Sequence, residues 1–258
     1  MRGGQPEEEV LTGGNVGARV VRVGDTVRRP AGFWSPSVDA FLRHLNDVGY
    51  EGAPRSLGFD SLGRHVVEYV QGDVPMPFQP GDHLAAARRV GALIRDFHDA
   101  SAGFVPPADA RWNVVVPPNA QHLVIHHDLA PWNLVCAADR WVFIDWDTAG
   151  PGSRLWDLAY AAHGFVPLQP NTPVAIAALR LAALADGYGL GDDSRQQLAD
   201  LLVRRIMSMY DLLSEGHRSG AQPWALLWDK GHGDVWLADA TYTQRHDAAL
   251  RAALTGGP

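Results

Sequence analysis

The stretch His126-His127-Asp128-Leu129-Ala130-Pro131-Trp132-Asn133 brings imidazole, carboxylate and carboxamide groups together directly after a short apolar run, Leu123-Val124-Ile125. Twelve residues beyond Asn133 comes Asp145, at the end of a second apolar run, in Ile144-Asp145-Trp146-Asp147. Short apolar runs bounded by polar residues read as buried strands. Two carboxylates and one amide therefore fall at the ends of two neighbouring strands, separated by a turn.

Phosphoryl transfer asks for such a set. A triphosphate carries its charge with Mg2+, and Mg2+ takes oxygen ligands. Asp145 offers a carboxylate and Asn133 an amide oxygen. Asp128, five residues before Asn133, stands where it could orient an acceptor hydroxyl and take its proton. Each part alone is commonplace. The joint pattern HxDxxxxN, then strand, turn, strand and Asp, is specific. Asp147 reads either as a third metal ligand or as a solvated turn residue.

The elements that must position these groups follow from the rest of the chain. The first seventy or so residues read as strands around one helix. A Gly-rich turn, Gly13-Gly14-Asn15, precedes Ala18 to Val23, and Gly24-Asp25 is a hairpin signal before Thr26 to Arg29. Ser35-Pro36 predicts a helix start with serine as cap, and Val38, Phe41, Leu42 and Leu45 recur at helical spacing. Strands are predicted near Arg55 to Phe59 and Arg64 to Val70, and a proline-rich connector follows Gln71-Gly72-Asp73. Asp82 to Ala100 then predicts an amphipathic helix with Leu84, Val90, Leu93, Ile94 and Phe97 on one stripe. Beyond the strand insert, helices are predicted over Pro173 to Tyr188, Asp193 to Glu215 and Val235 to Leu254. The order is a strand-rich lobe, a connector and a helix-rich lobe.

At His126 to Asn133, at Phe143-Ile144-Asp145-Trp146-Asp147 and at Trp156-Asp157-Leu158-Ala159-Tyr160, the chain resembles the aminoglycoside phosphotransferase and choline kinase family, relatives of the protein kinases in fold. The resemblance runs from about Leu11 to at least Phe165. It implies a two-lobed, protein-kinase-like α+β fold, with residues 1–70 as the nucleotide-binding lobe and 71–258 as the catalytic and substrate-binding lobe. It implies Asp128 as catalytic base, Asn133 and Asp145 as Mg2+ ligands, His126 as a brace of the catalytic loop and Asp157 as its support. It further implies Gly13, Gly14 and Asn15 over the phosphates of ATP or GTP, and the Glu68 carbonyl and Val70 amide on the adenine edge.

A kinase of this type holds the α- and β-phosphates with a lysine on the third strand. The only lysine in the chain is Lys230. Arg28 and Arg29 stand on the third strand instead, and alternation lets only one face the cleft. The resemblance favours Arg28, with Asp39 on the following helix as a candidate ion-pair partner.

Asp145-Trp146-Asp147 replaces DFG, and no Ala-Pro-Glu follows, so the expected acceptor is a small molecule. Asp211, Glu215, Asp229, Asp234 and Asp239, among Trp224, Trp228 and Trp236, are candidates for a wall facing an amino sugar or quaternary amine. The acceptor reads as an aminoglycoside-like antibiotic. Alternatives are a choline-like amine, a sugar, a macrolide or a peptide antibiotic. A pseudokinase that only binds nucleotide is a rival reading, favoured by the missing lysine and opposed by the intact Asp128, Asn133 and Asp145.

Composition agrees. The 258 residues carry a net charge of −7, which argues against general nucleic-acid binding. The single cysteine forbids an intrachain disulfide and fits a reducing cytoplasm. No membrane-spanning run or signal peptide is expected, and a monomer or homodimer is.

Overall fold

The computed structural model describes residues 8–11, 20–75 and 82–256. Five antiparallel strands come first: β1 (Glu9–Val10), β2 (Val21–Val23), β3 (Thr26–Arg29), β4 (Ser56–Phe59) and β5 (His65–Glu68), ordered β1-β2-β3-β5-β4. Gly24, at φ 58°, makes the β2–β3 hairpin in the left-handed backbone region that glycine enters without penalty. Asp60 closes the β4–β5 turn by accepting the Leu62 and Arg64 amides at 2.9 and 3.0 Å.

Helix α1 (Ser35–Asp47) lies against this sheet and buries Val38, Phe41, Leu42 and Leu45, the stripe its sequence predicts. Ser35 is not its cap. Trp34 occupies that position, and the Ser35 hydroxyl instead accepts the Gly32 amide at 3.0 Å. Helix α2 (His83–Ser101) has Asp82 as a true cap, its carboxylate accepting the Leu84 and Ala85 amides. Val90, Ile94 and Phe97 are fully buried, whereas Leu84 and Leu93 are half-buried at the margin of the stripe.

Two short sheets follow. Strand β6 (Leu123–Ile125) is completed by β9 (Gly150–Gly152), and between them β7 (Leu134–Cys136) and β8 (Trp141–Phe143) form an antiparallel hairpin. The remainder is helical: α3 (Arg154–Phe165), α4 (Val174–Tyr188), α5 (Asp192–Ser219), α6 (Trp224–Asp229), α7 (His232–Arg245) and α8 (Asp247–Thr255). The single helix predicted over Val235 to Leu254 is thus two, broken at His246. Helices α2 and α4 approach closely because Gly91 and Gly187 lack side chains: a Cβ at either would run into backbone of the other helix, at Leu184 and Arg88 respectively. No helix among the described residues is long and apolar enough to cross a membrane.

Candidate active site

The β7–β8 hairpin explains why residues twelve apart meet. Leu134 pairs with Phe143, and one step further the Ile144 amide donates to the Asn133 carbonyl at 2.8 Å. Asn133, at the end of a 3-10 turn (Pro131–Asn133), and Asp145, just past β8, are thereby neighbours. The Asn133 Nδ2 donates to the Asp128 carboxylate at 2.8 Å and to the Asp128 carbonyl at 3.0 Å. Its nitrogen committed, the amide has its oxygen left as a ligand atom. Asp145 sits at φ 62°, a left-handed conformation that Asp and Asn tolerate better than other side chains.

This donor set fits Mg2+. The Asp145 carboxylate and the Asn133 amide oxygen would hold such an ion, whose few protein ligands would leave room for phosphate oxygens and water. Among the described residues no group of three His, Cys, Asp or Glu forms a closed metal cage.

The loop carrying Asp128 is braced from below. His126, fully buried, donates through Nε2 to the Ile144 carbonyl at 3.1 Å, and its Nδ1 accepts the Asp128 amide at 3.3 Å. Asp157 at the start of α3 is also fully buried. It accepts the backbone amides of His126 (3.0 Å) and His127 (2.9 Å) and the Nε2–H of His98 (3.2 Å). His127 sits at φ 68°, a conformation that costs about 1–3 kcal/mol for such a residue. It persists because its amide is held by Asp157 and its carbonyl by Arg205 Nη2 at 3.0 Å. Burial lowers the His127 imidazole to about 4, so it is neutral near pH 7.

Burial also pushes the Asp157 carboxyl upward, but its hydrogen bond and charge interaction with His98 outweigh this and hold it below its ordinary 3.8. A carboxyl lowered on folding stabilises the fold when ionised. That contribution is complete above the unfolded value and is lost as pH falls through the folded one. Asp157→Ala is expected to destabilise the protein by about 3–5 kcal/mol, since it strands two buried amides and the His98 donor. For a chain of this size that is a fall in melting temperature on the order of 10 °C. Thermal unfolding at pH 7 measures it, and an unchanged transition would remove Asp157 from the support of the loop.

The sheet register differs from expectation at the arginines. Arg29, opposite His65, points toward the cleft, where its Nη2 lies 2.7 Å from Asp145 and 3.0 Å from Asp147. Arg28, opposite Val66, turns the other way, with its Nη1 3.5 Å from Asp60. The expectation that Arg28 faces the cleft is corrected by one residue. Alternation leaves two choices, and the pairing of β3 with β5 decides between them. Asp39 takes neither arginine: it receives Arg43 at 3.1 Å and the Ser56 hydroxyl at 2.6 Å.

The electrostatics follow. Burial pushes Asp145 up, but the Arg29 charge and hydrogen bond hold it below the carboxylate range. Burial pushes Asp128 up, against the hydrogen bond from the Tyr160 hydroxyl and the neighbouring His126.

Glu68 and Val70 lie where the chain leaves the sheet. The Glu68 side chain, to which sequence reasoning gave no weight, ion-pairs with Arg140 before β8 and so ties the sheet to the helical part. Gly13, Gly14 and Asn15 lie outside the described residues.

The expected acidic and aromatic wall divides. Asp239 and Trp236 are buried, with Asp239 on His163 at 2.9 Å and the Trp236 ring stacked on His163 at 4.4 Å. Glu215 pairs with Arg218 and Asp229 with His217. Asp211 and Asp234 are exposed. Trp132, which sequence reasoning left without a role, is 41% exposed on the turn between Asp128 and Asn133. An aromatic residue between Asp128 and Asn133 was the available signal.

Sheet, connector, helical lobe and loop geometry together define a protein-kinase-like phosphotransferase. Residues 108–198 match the Phosphotransferase enzyme family. The trifolitoxin immunity protein of Rhizobium leguminosarum bv. trifolii is 30% identical over 270 residues, covering 96% of this chain and 99% of that protein. Two solved structures share the fold. A choline/ethanolamine kinase family protein from Mesorhizobium loti has TM-score 0.67 and 17% identity, covering 99% of this chain and 95% of that one. An amicoumacin kinase in complex with AMP-PNP and Ca2+ has TM-score 0.65 and 13% identity, covering 95% and 89%. The chain belongs to the phosphotransferase enzyme family that contains the aminoglycoside phosphotransferases and the choline and ethanolamine kinases.

Proposed function

We propose that this chain is a Mg2+-dependent kinase that moves the γ-phosphate of ATP or GTP to a hydroxyl of a small molecule, with an antibiotic as the favoured acceptor. The observation that carries the reading is Asn133: its nitrogen holds Asp128 at 2.8 Å while its backbone pairs beside Asp145. Base and metal ligands are thereby set at a fixed separation. Mg2+, when bound, neutralises charge on the phosphates and fixes their geometry.

In this reading Asn133 and Asp145 hold the metal, and Arg29 takes over the anchoring of phosphate from Arg28. An arginine stays charged and can hold two phosphate oxygens at once. Asp128 orients the acceptor hydroxyl and accepts its proton as the O–P bond forms and the nucleoside diphosphate leaves. Gly13, Gly14 and Asn15 cover the phosphates, and the Glu68 carbonyl and Val70 amide meet the base. The exposed Trp132 suits an acceptor with a planar or cationic group.

The relative named for trifolitoxin immunity, aligned over nearly its whole length, supports a defence role. The likeness to a choline/ethanolamine kinase family protein supports a hydroxylated amine as the alternative. Mg2+-dependent ATP and GTP turnover over a panel of antibiotics, amino alcohols and sugars tests the proposal. No turnover with any acceptor, despite nucleotide binding, would favour a pseudokinase.

Arg29→Ala is expected to raise the KM for nucleotide and lower kcat, together on the order of a hundredfold in kcat/KM. Arg28→Ala should change neither constant. Steady-state kinetics on the two variants decides, and the opposite ranking would return the role to Arg28.

A further inference from the structure

A cation that grips phosphate must itself be held in place. On an N-lobe strand the natural source of a counter-charge is the following helix, whose carboxylate beside the sheet is Asp39. That group is already committed. It accepts Arg43 Nε through both oxygens at 3.1 Å, accepts the Ser56 hydroxyl at 2.6 Å and lies 4.0 Å from His65. Arg29 finds its partners across the cleft instead, on Asp145 and Asp147.

These two partners are not equivalent. Asp145 is the carboxylate that the proposed reaction assigns to Mg2+, and an oxygen in a metal's inner shell has little charge left for a guanidinium. Asp147 carries no such duty. It sits in a 3-10 turn (Trp146–Thr148) that is fixed at each end. Trp146, buried, donates its Nε1–H to the Phe143 carbonyl at 2.7 Å, and the Thr148 hydroxyl donates to the His126 carbonyl at 3.0 Å. The Ala149 amide closes the turn on the Trp146 carbonyl at 3.0 Å. Asp147 is therefore attached to the catalytic loop, and its side chain, like that of Arg29, is mostly shielded from water. Ion pairs in such settings are screened less than surface pairs.

We propose that Asp147 is the permanent counter-ion of Arg29, a positioning residue that holds the phosphate anchor from the C-lobe in place of a carboxylate on α1. The proposal rests on the phosphotransferase reading above. Its consequence is that the anchor is aligned by the turn that directly follows Asp145 and whose Thr148 hydroxyl holds the His126 carbonyl. The ion pair itself then comes from the turn after Asp145 and not from a carboxylate on α1, although Phe41 of α1 packs on Trp146 of that turn.

The test measures affinity for AMP-PNP in saturating Mg2+, and separately the Mg2+ midpoint at saturating AMP-PNP. It uses Asp147→Asn, Arg29→Gln, their double variant and Asp39→Asn, with melting temperatures confirming that each folds. Asp147→Asn is expected to weaken AMP-PNP about tenfold and leave the Mg2+ midpoint unchanged. In the Arg29→Gln background the same substitution should cause no further loss, because the interaction is already gone. Asp147→Glu should recover part of the affinity. Asp39→Asn should lower the melting temperature and leave AMP-PNP affinity intact.

Losses that multiply independently in the double variant would overturn the proposal. So would an Asp39→Asn defect equal to that of Asp147→Asn. A shifted Mg2+ midpoint in Asp147→Asn with AMP-PNP affinity unchanged would make Asp147 a metal ligand instead. These three outcomes leave the kinase reading standing. A wild-type chain that fails to bind AMP-PNP with Mg2+ would overturn both.

Discussion

Asp145→Asn is expected to lower turnover on the order of a thousandfold, the scale on which a preorganised charge at a reacting phosphate acts. An amide is a poor exchange for a carboxylate at Mg2+, which prefers anionic oxygen. The same substitution removes one of the two carboxylates on Arg29, at 2.7 Å, while Asp147 at 3.0 Å remains. The fold should survive. The position has φ 62°, and asparagine enters the left-handed region about as readily as aspartate. Asp145→Ala would confuse the result by adding backbone strain. Turnover at saturating Mg2+ should be measured beside thermal unfolding. Near-normal turnover with a cooperative transition would take Asp145 out of the metal site.

Asp128→Asn is expected to keep nucleotide affinity and lose transfer, by roughly 10²–10⁴-fold, the range for removal of a general base. The geometry predicts a quiet substitution structurally. Asn133 Nδ2 donates to an Asp128 oxygen at 2.8 Å, and an asparagine oxygen can accept the same bond. The backbone contact from Asn133 Nδ2 to the residue 128 carbonyl, at 3.0 Å, is untouched. What is lost is the capacity to take a proton from the acceptor. AMP-PNP titration and single-turnover transfer to an identified acceptor separate the two functions. A variant that lost nucleotide affinity and kept its maximal rate would reverse the assigned roles.

What the sequence by itself determined about this protein is local. Asp128 and Asn133 are five residues apart, and Asn133 reaches Asp145 through one hairpin, so their meeting needs only short-range strand pairing. The apolar stripes of α1 and α2 were legible for the same reason: a helical period is written in neighbouring residues.

What only the tertiary structure decided is long-range. Period-two alternation says that Arg28 and Arg29 face opposite ways but not which way the cleft lies. Pairing of Arg29 with His65, thirty-six positions on, fixes that. Asp147 reads from the sequence as a ligand or a turn residue, and only the meeting of the two lobes places Arg29 beside it. The left-handed turn at His127 has no glycine to announce it. It is sustained by Asp157 on α3 and Arg205 on α5, and neither is adjacent to it in sequence. Likewise Asp239 and Trp236 left the expected acceptor wall for the interior because His163 of α3 meets them there. Spacing along a chain encodes which groups share a hairpin or a helix face. Which buried charges find each other depends on how those faces are packed, and the energy of that choice resides in contacts between distant segments.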